Sequence, residues 1–211
     1  MRSVIDSKER LIEVAVSVLA REGFAGTSLR MIAIEAGVSP ALLVHHFGSR
    51  QKLVEEAIDA ALGEWMESKD ELTDRAKLGL SEAIAEWPRL ADDGRVKLEF
   101  FRQVMIAGGP AANHLFQQMV NEAKVRLERF AKTGMMRGLT DLDTAAVLLA
   151  SYGLAPLLLS GSIKKVLGAD FTDPKISEKL AASSAELFGL FLPTDSQKGP
   201  GGDKEKKAGE K

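Results

Sequence analysis

Two adjacent histidines, His45 and His46, stand in the stretch VSPALLVHHFGSR and are two of the three histidines in the chain. Imidazoles can move protons, bind a metal or bond an anion. Adjacent helical residues point ~100° apart, whereas helical ligand pairs favour spacings of three or four. No carboxylate lies within the stretch to orient either ring. The third histidine, His114, stands apart and reads as a satisfied surface or core residue. The chain has no cysteine, which removes thiolate ligands and thiol nucleophiles. No nucleophile, base and orienter fall together, and no glycine loop is built to cradle phosphates. The expectation is no catalytic residue, no metal and no cofactor. Bonding an anion and plain solvation both stay open to the pair, as they do to Arg50 nearby.

The elements that would hold these residues are helical throughout. Leu11, Ala15, Val18 and Leu19 form a stripe on a first helix, roughly 6–22, ended by Gly23. Leu29, Ile32, Ala33 and Ala36 mark a second, roughly 28–36, capped by Thr27 or Ser28 and stopped by Gly37. Ser39 reads as the N-cap and Pro40 as the first residue of a third, which runs to about Phe47. Ser49 caps a longer helix with Leu53, Ala57, Ile58, Ala61, Leu62 and Trp65 on one face. Further segments carry Leu80, Ala83, Ile84 and Trp87, then Phe100, Phe101, Val104 and Met105, then Phe116, Met119, Ala123, Leu127 and Phe130 up to Gly134. Two more run over roughly 141–167, where Pro156 should kink the helix, and 175–192. The fold class is all-α, with about nine helices and no convincing strand.

Helices two and three are joined by a turn of about three residues, a helix-turn-helix pattern that would lay the second helix in a DNA major groove. Residues 10–53 resemble the DNA-binding domain of the TetR/AcrR family of bacterial regulators. The matching residues are Gly23-Phe24, Thr27, Ile32-Ala33, Ala36-Gly37-Val38-Ser39, His46-Phe47, Ser49-Arg50 and Leu53. The resemblance implies an N-terminal three-helix DNA-binding domain and a helical C-terminal domain that binds a small ligand and dimerises through its last two helices. It also implies repression relieved by that ligand. The candidate DNA-binding residues are Thr27, Arg30, Ser39, Pro40, Ala41, Leu42, Val44, His45, His46 and Arg50. In the family a tyrosine commonly fills the position of Val44 and often contacts a phosphate, which valine cannot do. Between Ser39 and His45 the reading face has little hydrogen-bonding capacity, although it can touch thymine methyl groups. The rival reading is a helical ligand-binding or interaction protein whose helix-turn-helix no longer reads DNA.

Charge supports the division weakly. Residues 1–52 carry +2 (seven Lys/Arg against five Asp/Glu), and residues 53–192 carry −5 (sixteen against twenty-one). The expected organisation is a DNA-binding domain over 1–48, a ligand-binding and dimerisation domain over 49–192 and a disordered tail over 193–211. Trp65, Phe100, Phe101, Met105, Phe116, Met119 and Tyr152 are candidates to face a small-molecule effector. Small residues in 141–167 (Ala145, Ala146, Ala150, Gly153, Ala155 and Gly161) permit close helix approach. With 175–192 that segment would form a two-fold four-helix interface between two copies. The N-terminal residues have no apolar core of signal length, and no apolar run reaches the ~20 residues of a membrane span. The expected partners are operator DNA, a second copy and an effector, with no membrane, in the cytoplasm.

Overall fold

The computed structural model describes residues 4–76, 92–132 and 139–191. The expected helix around Leu80 and Trp87, Gly134 and the 193–211 tail lie outside the described residues. Among the described residues there are nine helices and no strand. They are α1 (Val4–Gly26), α2 (Leu29–Ala36), α3 (Pro40–Phe47), α4 (Arg50–Ala76), α5 (Asp92–Ala107), α6 (Gly109–Lys132), α7 (Leu142–Leu158), α8 (Ser160–Leu167) and α9 (Pro174–Phe191).

Local chemistry explains the head. Ser28 caps α2, its Oγ accepting the Met31 N–H at 3.2 Å. Gly37 then adopts a left-handed conformation (φ 69°, ψ 32°), and the Val38 N–H reaches back to the Ala33 carbonyl at 2.9 Å. That closure satisfies carbonyls the helix end would leave orphaned. Ser39 caps α3 by accepting the Leu42 N–H at 3.3 Å, with Pro40 at the first helical position. Ser49 accepts the Lys52 N–H at 3.1 Å and opens α4.

α1 serves two cores at once. Leu11, Ala15 and Val18 pack with Ile32, Ala33, Ala36, Leu43 and Phe47 in the head, and Leu53 of α4 joins them. Val16, Leu19 and Ala20 turn instead toward Val54, Ala57, Ile58, Trp65, Phe100, Phe101 and Leu115 of the body. The single stripe expected on α1 is therefore two neighbouring stripes, and Leu19 belongs to the body. The helical path of α1 breaks where expected, at a non-helical Gly23 (φ 72°, ψ 173°), and a short helical stretch follows the kink to Gly26. Head and body share α1, and α4 gives Leu53 to the head cluster and Val54 to the body cluster. A smaller cluster joins Val120, Ala123, Leu127 and Phe130 of α6 to Ala146 and Ala150 of α7.

The segment expected as one kinked helix over 141–167 is two helices, α7 and α8, bent by 70°. Pro156 has no N–H for the helix ladder. The chain leaves the α7 axis at Leu159, whose N–H still bonds the Ala155 carbonyl at 2.9 Å. Among the described residues no single helix is long and apolar enough to cross a membrane. At the start of α7, Asp141 accepts the Thr144 N–H at 3.0 Å and the Thr144 hydroxyl at 2.6 Å. Those bonds, the hydroxyl first, hold its carboxyl below the usual range. A depressed folded-state pKa means that the cap stabilises above the unfolded carboxylate pKa and is lost as pH falls through the folded one. The difference in Tm between the native chain and Asp141→Asn should therefore shrink as a thermal-melt series is taken into the acid range.

Candidate nucleic-acid interface

The solvent side of the head is built by α3. Ser39, Pro40, Ala41, Val44 and His45 are exposed, Leu42 and His46 are half-buried, and Leu43 and Phe47 are buried. At ~100° per residue the fully exposed helical positions fall on one arc, in the order Pro40, Val44, Ala41, His45. Leu43 and Phe47 lie beyond the Pro40 edge of that arc, where they are buried and anchor the helix against α1 and α2. His45 and His46 stand edge to face with ring centroids 5.7 Å apart, and His46 lies 6.2 Å from Phe47. Arg30 is exposed on the first turn of α2. Among the described residues, no three histidine, aspartate or glutamate side chains converge as metal ligands would.

Two candidate residues have different places from those expected. Thr27 is buried, and its hydroxyl donates to the Gly23 carbonyl at 2.7 Å. It braces the turn between α1 and α2 and does not present its hydroxyl on the surface. Arg50 donates from Nη2 to the Phe24 carbonyl at 2.7 Å, and its guanidinium lies over the Phe24 ring, 4.9 Å from the centroid. Its Nε is buried without a hydrogen-bond partner. Arg50 therefore staples the first turn of α4 to the end of α1, where a free phosphate contact was expected.

That placement carries a prediction. Arg50→Ala should cost about 1.5–3 kcal/mol of stability, the range for losing a hydrogen bond to a charged group. It should leave the salt slope of any DNA binding unchanged. A slope reduced by about 0.9 per half-site would instead show a phosphate contact.

Residues that sequence reasoning passed over share this neighbourhood. Lys8 pairs with Glu56 at 2.7 Å and stands 5.5 Å over the Phe47 ring, tying α1 to α4 and to the end of α3. Arg21 reaches Glu35 of α2 at 3.5 Å. Gln103 of α5 lies against Gly23. For the last site the sequence offers only Gly23 as a stop signal, and no spacing rule points to Gln103 or to Lys8. His114 is bound, with Nε2 2.7 Å from Asp59 Oδ1, joining α6 to α4.

The body candidates fall into two places. Trp65, Phe100 and Phe101 are buried in one apolar cluster, with Met105, Phe116 and Met119 packed against it. Tyr152 does not join them. It is 38% exposed on α7, and its hydroxyl is hydrogen-bonded to that of buried Ser184 on α9.

Comparisons with known proteins agree with this architecture. Residues 11–57 match the family model described as bacterial regulatory proteins, tetR family, and residues 94–190 match the tetracyclin repressor-like C-terminal domain. The HTH-type transcriptional regulatory protein RaaS of Mycobacterium tuberculosis is 32% identical over 167 residues, covering 75% of this chain and 74% of that protein. The HTH-type transcriptional regulator BetI of Rhizobium meliloti is 38% identical over 56 residues, 26% of this chain and 28% of its own. A TetR-family regulator structure from Rhodococcus sp. superposes with a TM-score of 0.68 at 16% identity, over 87% of this chain and 98% of that one. Regulators of this family bind operator DNA, dimerise and are not enzymes. With a head that matches their DNA-binding domain, a body that matches their C-terminal domain and a relative similar over most of its length, this chain belongs to the TetR family of transcriptional regulators.

Proposed function

We propose that the protein is a homodimeric repressor that acts in the cytoplasm and leaves its operator when a small apolar ligand binds the body. The observation that carries the DNA half is the exposed arc of α3, held outward by Leu43 and Phe47. Two such arcs related by two-fold symmetry suit half-sites one helical turn apart. Arg30, Ser39, Pro40, Ala41, Leu42, Val44, His45 and His46 are the residues assigned to the DNA. Thr27 and Arg50 are assigned to holding the head in shape.

The dimer is proposed to form through α7 and α9. α7 buries Ala146, Ala150, Leu154 and Leu157 against its own chain while Val147, Leu148, Tyr152 and Leu158 remain exposed on its other side. Leu187 is exposed on α9, and the Tyr152–Ser184 bond holds the two helices together. Apolar surface on both helices supports a four-helix interface. The effector is assigned to the cluster of Trp65, Phe100, Phe101, Met105, Phe116 and Met119. α4 runs from that cluster to the head, so a ligand preferring one placement of α4 would shift DNA affinity by its differential binding.

Electrophoretic mobility shift with DNA upstream of the protein's own gene tests the DNA half. A retarded band that weakens as salt rises is expected, and no shift at low salt with any fragment would favour a head that no longer reads DNA. Sedimentation should give a dimer at micromolar concentration, and a monomer there would remove the α7–α9 interface.

A further inference from the structure

We propose that α3 reads thymine through its 5-methyl group, so that the operator is chosen by apolar contact more than by hydrogen bonding. The inference rests on the DNA-binding reading above and specifies what that surface recognises. Within the exposed arc, Pro40, Ala41 and Val44 offer carbon to the groove, and only His45 at its edge has side-chain donors or acceptors. Val44 is 48% exposed, although valine on a helix ordinarily earns its place by burial. The Ser39 hydroxyl oxygen already accepts the Leu42 N–H.

The major groove offers one apolar feature, the thymine C5-methyl; the other groups there are donors and acceptors. A valine and an alanine three positions apart on one helix face present neighbouring methyl surfaces. Set against a cytosine amino group or a guanine N7 and O6, they would strip water from those groups without replacing their hydrogen bonds, which disfavours the wrong base. Set against thymine methyls, they bury carbon against carbon.

The test begins by selecting duplexes from a random-sequence pool with the full-length protein. The inference expects thymine within both half-sites. Each such thymine is then replaced by deoxyuracil, which removes the methyl and leaves base pairing intact. Affinity should fall about fourfold per methyl in contact, and more than tenfold when one thymine is replaced in each half-site. In the Val44→Ala protein, the thymine-to-uracil difference should shrink at one position and persist elsewhere. Its circular dichroism melt should match that of the native chain, because Val44 is exposed.

Equal affinity for thymine and uracil duplexes, or selected half-sites without thymine, would overturn methyl readout while leaving the DNA-binding reading standing. Failure to select any duplex at low salt would overturn both.

Discussion

Phe100→Ala is expected to lower the free energy of unfolding by about 3–5 kcal/mol, the range for truncating a buried phenylalanine. Phe100 is fully buried, and its ring centroid lies 5.7 Å from that of Phe101. It sits in the cluster where α1, α4, α5, α6 and α7 meet, so no single helix can move in to fill the space. Typical domain stability is about 5–15 kcal/mol, so the loss is a large share of the total. Urea denaturation followed by circular dichroism measures it, with Phe100→Leu as the milder partner. A cost under about 1 kcal/mol for the alanine variant would mean that the cluster collapses around the gap. Because α1 lends its other face to the head, the loss should reach the DNA-binding half as well.

Gly23→Ala should cost about 1–3 kcal/mol through the backbone alone, since its φ of 72° with ψ of 173° belongs to a region that other residues scarcely enter. An added Cβ would also stand 3.0 Å from Gln103 Oε1. The consequences spread beyond one residue. The Gly23 carbonyl receives the Thr27 hydroxyl, and the next carbonyl, that of Phe24, receives Arg50. Moving this kink therefore disturbs the entry to α2 and the start of α4 together. Repeating the substitution in a Gln103→Ala background separates the two causes. Most of the cost should persist there, because the dihedral strain remains when the steric partner is gone. Complete rescue would assign the effect to Gln103 instead, and a neutral Gly23→Ala would show that the kink carries no strain.

The two sites differ in how readable they were. Phe100 fell on an apolar helix face, a period visible in any window of the sequence. Gly23 was visible as a stop signal, but its partner was not. Gln103 lies in another helix, and its approach depends on how α5 crosses α1. Arg50 shows the same limit from the other direction. As a cation at the start of α4, it suits a phosphate contact by type and position. Its carbonyl acceptor is 26 residues earlier in the chain, and only folding brings it within 2.7 Å. The choice between Thr27 and Ser28 as the cap of α2 was likewise decided by where Thr27 was buried, with its hydroxyl already given to Gly23.

By itself, the sequence determined the family, the all-helical class and the punctuation of the head. Ser39, Pro40, Gly37 and Gly48 act within a few residues of themselves, so their effect can be read without knowing the rest of the chain. It also determined that α3 would be poor in hydrogen-bonding groups between Ser39 and His45. Tertiary structure decided which of those side chains face outward. It also divided α1 between two cores, turned Arg50 and Thr27 inward, separated Tyr152 from the aromatic cluster and bent α7 from α8 by 70°. These outcomes depend on contacts between residues far apart in the chain, which local propensity and spacing do not encode.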